Sequence, residues 1–145
     1  MTSHIDARTA RVIHFYETLT PASLSQLEAL YTHDARFKDP FNHVQGLKAI
    51  ERVFSHMFET LNAPRFEVLS ADTVEDHAWL TWDFIIQRPG KKEWRIHGAT
   101  RLTYASDGRI TQHRDYWDPA EELYARLPLL GPLVRWLTRR LSAST

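Results

Sequence analysis

The chain of 145 residues contains no cysteine. Disulfide frameworks, thiolate metal sites, iron–sulfur clusters and cysteine nucleophiles are thereby excluded. Net charge is equally missing, because 18 Lys and Arg balance 18 Asp and Glu. No global field therefore draws in nucleic acid or anionic lipid. Long apolar runs are absent too. Leu127 to Val134, a notable uncharged and mostly apolar run, falls far short of the ~18 residues that span a bilayer. Met1 to Tyr16 mixes charge throughout, without the apolar segment of a signal peptide. The five glycines form no phosphate-cradling loop. What remains is 43% apolar and 25% charged residues, the composition of a globular domain. A single cytoplasmic domain is expected. Aromatic residues reach 12%, which in a chain this small means a bulky core or an aromatic-lined cavity.

Helical patterns flank a strand-rich centre. Val12, Ile13, Tyr16 and Leu19 recur at helical spacing. Thr20-Pro21 reads as an N-cap with proline in the first turn of a second helix, whose stripe is Leu24, Leu27, Leu30 and Tyr31. Ala35 to Pro40 alternates like a short strand that proline must end. Gly46 to Leu61 returns to helical spacing and stops at Asn62-Ala63-Pro64. Four strands follow, Arg65–Asp72, His77–Gln87, Lys92–Tyr104 and Arg109–Asp118, joined by turns too short for anything but an antiparallel meander. This order predicts an α+β fold with helices on one face of a curved sheet.

The sequence resembles the nuclear-transport-factor-2-like superfamily, in its SnoaL-like and ketosteroid-isomerase-like branch. The resemblance is carried by Val12-Ile13-His14-Phe15-Tyr16, His33-Asp34-Ala35-Arg36-Phe37-Lys38-Asp39-Pro40, the Gly46 helix start, and Asp107-Gly108-Arg109-Ile110 followed by His113 to Asp118. It covers about Ile5 to Asp118 and leaves 119–145 as a helical extension of a single 1–145 domain. It implies a conical half-barrel: a curved antiparallel sheet wrapped around the N-terminal helices, with a deep pocket between them. It implies no cofactor and no metal. Such a fold hosts isomerases, cyclases, lyases and plain binding modules, so function rests on the site residues.

Asp39, in an Asp-Pro context before Phe41, matches the general base of ketosteroid isomerase. A carboxylate on an apolar wall can take a proton from a carbon beside a carbonyl. Alternatively, Asp39 bonds its own turn before Pro40. Tyr16 matches the phenol that stabilises the oxyanion, or else is a core tyrosine. Thr100 stands where the isomerase carries a protonated Asp, a departure from a literal steroid isomerase. His113, Asp115 and Trp117 alternate, so they share one strand face. The resemblance turns that face into the pocket, as a proton-transfer pair beside an aromatic platform. It also turns Asp83 inward, whereas hydrophobicity prefers the Leu80–Trp82–Phe84–Ile86 face inside. Catalytic candidates are thus Asp39, Tyr16, His113 and Asp115, with Trp117, Thr100, Phe41 and Asp83 expected to bind ligand.

The segment after Asp118 places Leu123, Leu127, Leu130, Leu133, Trp136, Leu137 and Leu141 among Arg126, Arg135, Arg139 and Arg140. A lid over the pocket or a subunit contact is expected of it, rather than a place on a membrane. The expected partners are a small, largely apolar carbonyl-bearing molecule and a second copy of the chain meeting its outer sheet face, and no nucleic acid. A non-catalytic binding module of the same fold is the alternative function.

Overall fold

The computed structural model describes residues 4–122 and 131–141. Helix α1, Ala7–Glu17, begins where the Asp6 carboxylate accepts from the Thr9 amide, and it buries Thr9, Val12, Phe15 and Tyr16. Spacings of three and four put those four side chains on one stripe. The expected second helix divides. Pro21–Gln26 is a 3-10 helix closed by a Thr20/Ser23 capping box, and only Leu27–Leu30 (α2) is α-helical. Leu24, Leu27 and Leu30 recur strictly every three residues, which suits three residues per turn. Tyr31 is not on that helix at all; it opens strand β1, Tyr31–Lys38.

A turn over Asp39–Asn42 reverses the chain into a three-residue strand β2, His43–Gln45, that the sequence pattern did not suggest. Gly46, at φ 98°, then redirects it into α3, Leu47–Thr60; a backbone there is poorly tolerated by residues with a Cβ. Strands β3 (Arg65–Val74), β4 (His77–Ile86), β5 (Trp94–Tyr104) and β6 (Ile110–Tyr116) form the meander. The sheet order is β2-β1-β6-β5-β4-β3. The sheet is mixed rather than wholly antiparallel, because β1 runs parallel to β6. A parallel neighbour needs a long crossover, and here α3 with the other three strands supplies it.

The sheet stays open and curls around α1 and α3. Its concave face carries Phe37, Ala71, Leu80, Trp82, Leu102 and Tyr104, packed with Val12, Tyr16, Ile50 and Phe54 in one core. Alternation therefore decides the orientation of β4: Trp82 is inside. Asp83 is on the convex face, paired with His97 at 3.0 Å and Arg95 at 3.2 Å. This corrects the inward placement of Asp83 that the resemblance implied. The same orientation removes the apolar Trp82 face as a reason for dimerisation through the outer sheet. That surface instead carries Arg65, Glu67, Asp83, Glu93 and Arg95 in a chain of ion pairs.

Beyond β6, Asp118 caps the short α4, Pro119–Glu122, by accepting from the Ala120 amide. The Trp94 indole N–H donates to the Glu122 carbonyl and holds this segment to β5. Leu123, Arg126, Leu127, Pro128 and Leu130, which the lid expectation used, lie outside the described residues. Helix α5, Gly131–Leu141, follows.

Candidate functional site

Between helices and sheet lies a cavity in two chambers. The outer one is about 290 Å³ and is walled by Phe37, Phe41, Met57, Phe84, Trp94 and Trp117 among others. The inner one is about 30 Å³, the volume of one water, and is closed by Val12, Tyr16, Leu80, Thr100, Leu102 and His113. Phe54, Phe66, Trp82 and Asp115 line both. Asp115 is therefore the polar group at the neck, its side chain 16% exposed beside a His113 at 3%.

A continuous chain of hydrogen bonds runs through the neck. Trp82 Nε1–H donates to Thr100 Oγ1 at 2.7 Å, and Thr100 donates to Asp115 Oδ1 at 2.6 Å. From the other side, His113 Nε2 meets the same Oδ1 at 2.7 Å. Tyr31 Oη lies 2.7 Å from His113 Nδ1, and Tyr16 Oη is bonded to Tyr31 Oη. The acceptor-only carboxylate fixes the direction of the bonds that reach it: Thr100 and His113 Nε2–H donate to Asp115. In the Nε2–H tautomer of the imidazole, Nδ1 accepts from Tyr31, which accepts from Tyr16. All the donors point toward Asp115 Oδ1. Among the described residues, Oδ2 accepts no hydrogen bond.

Sheet register builds this chain. Thr100 and Asp115 are direct cross-strand partners on β5 and β6, and Phe37 of β1 faces His113 of β6. The Phe37 ring lies 4.6 Å from the imidazole, centroid to centroid. Tyr16 is held edge-on by Phe15 and Phe66. Burial is the main force raising the pKa of both phenols and so suppressing their ionisation. Tyr16 is pushed well above the ordinary tyrosine range, reinforced by Tyr31 and Asp115. Tyr31 is also raised, although its bond to Tyr16 opposes the shift. Both remain protonated donors at any working pH.

The expected candidates divide. Tyr16, Thr100, His113 and Asp115 come together at the neck, and Trp117 stands over the outer chamber with Phe41, ring centroids 5.5 Å apart. Asp39 lines the outer chamber but stands apart from the chain. Its Oδ1 accepts from the Phe41 amide at 2.8 Å and the Asn42 amide at 2.6 Å, and Asn42 Nδ2 bonds both oxygens. That is the turn-forming alternative, with three bonds on Oδ1 and one on Oδ2. Asp83 has no place in the cavity. Tyr31, fully buried, and Trp82 as a donor were not singled out from sequence. The nearest sequence signal for Tyr31 was its odd-numbered kinship with Ala35 and Phe37, all buried on β1.

Residues 12–113 match the family model described as the SnoaL-like domain. The chain belongs to the SnoaL-like family. This SnoaL-like protein is 26% identical over 123 residues to a steroid Delta-isomerase of Nocardioides simplex, covering 83% of this chain and 95% of that one. Among solved structures it resembles a protein with a ketosteroid-isomerase-like fold from Catenulispora acidiphila DSM 44928, in complex with trimethylamine. That pair has a TM-score of 0.68 and 16% identity, over 84% of this chain and 92% of the other. It also resembles TerC, co-crystallised with polyporic acid, at TM-score 0.68 and 12% identity, covering 80% and 95%. The SnoaL-like protein thus shares its α+β cone with these structures.

Proposed function

We propose that the protein binds a small, largely apolar, carbonyl-bearing molecule and moves a proton on it, as an isomerase, cyclase or lyase, with Asp115 as the acid/base. The observation that carries this reading is the division of labour between the two oxygens of Asp115. Oδ1 is clamped by His113 and Thr100, which leaves Oδ2 as the basic atom at the neck of an apolar cavity. A carboxylate so placed removes a proton from carbon beside a carbonyl, where the apolar walls sharpen the charge interaction. In the reverse sense, His113 Nε2–H stabilises the carboxylate without leaving its site. The Tyr16 hydroxyl, turned from Tyr31 toward the ligand, is the inner chamber's donor for the enolate oxygen. The outer chamber, with Phe41 and Trp117 at its wall, holds the apolar body.

A second reading is a non-catalytic binding module. It is favoured by one feature: every buried polar side-chain atom among the described residues already has a partner, so the oxyanion donor must be freed first. Incubation with a β,γ-unsaturated 3-ketosteroid, followed by absorbance of the conjugated enone, separates the two. The catalytic reading expects turnover that Asp115→Asn lowers by about 10²–10⁴. Saturable quenching of tryptophan fluorescence by the steroid with no enone formed supports the binding module instead.

A further inference from the structure

Among the described residues, helix α5 carries an exposed apolar side. Leu133, Trp136, Leu137 and Leu141 are 53%, 48%, 43% and 84% exposed, and their spacing of three and four places them on one stripe. Eleven residues form a helix of marginal stability unless that stripe is buried somewhere. The sequence led us to expect a lid or subunit contact; among the described residues all four side chains of the stripe are exposed.

Charge tells what covers it. None of the 18 acidic residues lies beyond Glu122, whereas Arg126, Arg135, Arg139 and Arg140 all do. The chain is neutral overall, so the body before the extension carries the matching negative surplus. We infer that α5 is a docking element for an anionic membrane surface, lying in the interface plane with Leu133, Trp136, Leu137 and Leu141 turned into the lipid.

Two observations favour lipid over a second copy of the chain, and a third sets how the helix lies. Arg140 sits within the arc of the apolar stripe, its guanidinium 5.4 Å from the Trp136 ring. Two such helices packed face to face would bury both Arg140 charges with no acidic side chain beyond Glu122 in either chain to meet them. Headgroup phosphates meet them directly, and an arginine on a tryptophan is suited to the interface. Next, the outer sheet of a second copy presents Asp72, Trp79, Arg101, Arg114 and Lys38 in one row across β3, β4, β5, β6 and β1. Trp79 has Asp72 on one side and Arg101 on the other, with Arg114 and Lys38 beyond, so three of the four charges in that row repel the arginines of α5. Finally, α5 spans roughly 16 Å and the hydrocarbon core roughly 30 Å, so the helix lies on the membrane and does not cross it. The negatively charged body is held off the surface, which leaves α5 as the contact.

The inference is independent of the reaction proposed above. It is tested by pelleting the full chain with sucrose-loaded vesicles of phosphatidylcholine alone, or of phosphatidylcholine with about one-third phosphatidylglycerol. The expected result is binding to the anionic vesicles, none to the neutral ones, and release at high salt. Leu137→Glu abolishes binding, and Arg139→Glu weakens it by about tenfold or more because attraction becomes repulsion. Both positions are exposed, so thermal unfolding is unchanged in both variants. Failure of the wild type to pellet with anionic vesicles overturns the inference, as does pelleting that survives both substitutions. A lipid-free dimer in sedimentation velocity that Leu137→Glu dissociates also overturns it, in favour of a second copy.

Discussion

The indole of Trp82 occupies the space that a side chain at position 98 would need. A Cβ built on Gly98 would lie 2.4 Å from Cη2 of the ring. The two residues face each other across β4 and β5, and the missing side chain lets the ring lie over the sheet with Nε1 aimed at Thr100. Gly98 thus governs the cavity side of the hydrogen-bond chain from two strand positions away.

Gly98→Ala should therefore force Trp82 to move. The cost expected of overpacking is about 1–3 kcal/mol, and the Trp82–Thr100 bond goes with it, loosening one of the two clamps on Asp115. Urea unfolding and kcat measured on the same preparation check this. Wild-type stability and activity together would show that the ring has room to spare.

Tyr31→Phe removes the 2.7 Å donor to His113 Nδ1 and leaves that buried nitrogen only the longer contact to Tyr16 Oη at 3.4 Å. A loss of about 1–3 kcal/mol is expected. The more telling readout is the imidazole tautomer. Nitrogen-15 shifts of His113 in the wild type should report the proton on Nε2, and in the variant a mixture of tautomers. A wild-type imidazole carrying its proton on Nδ1 alone would reverse the bonds between Asp115, His113, Tyr31 and Tyr16 and leave the Trp82–Thr100 bond as described.

Ionisation gives a further test. Burial raises Tyr16 and Tyr31 above the ordinary tyrosine value, whereas in the unfolded chain both ionise near about 10. Below that pH neither state loses a proton and the stabilisation is intact. Above it the unfolded state is the one that sheds protons, so stability falls as pH rises. Absorbance of tyrosinate should show the two buried phenols silent through pH 10 and ionising only as circular dichroism reports unfolding. All five tyrosines titrating together in a folded protein would contradict the burial argument.

Those residues also show where the sequence was readable. The strand face of His113, Asp115 and Trp117 follows from alternation alone, since a period of two leaves no choice within one strand. The meander was equally legible, because its turns are short and its strands long. Tyr31 was hidden because β1 shifts register against β6 between Tyr31 and Arg36, which breaks the alternation and lets the leucines before it impose a helical reading. Asp83 was misplaced by giving a family register precedence over the apolar face of Trp82. The parallel β1–β6 pair and the bare stripe of α5 are tertiary facts, decided by packing that no local pattern encodes.

The two carboxylates that the sequence offered as bases make the sharpest remaining contrast. Asp39 accepts four hydrogen bonds from Phe41 and Asn42, so its charge is spent on holding the turn between β1 and β2. Asp115 keeps one oxygen clamped and one unengaged among the described residues. Asp39→Ala should therefore act first on stability, by about 1–2 kcal/mol for lost local bonds to backbone amides. Asp115→Asn keeps the shape of the side chain and an oxygen for Thr100, yet cannot take a proton. Its kcat should fall by about 10²–10⁴ with steroid quenching of tryptophan emission retained. A ketosteroid assay in which Asp39→Ala loses kcat by that factor, while Asp115→Asn turns over normally, would return the role of base to Asp39. The turn at Asp39–Asn42 would then have to open for the carboxylate to reach its substrate.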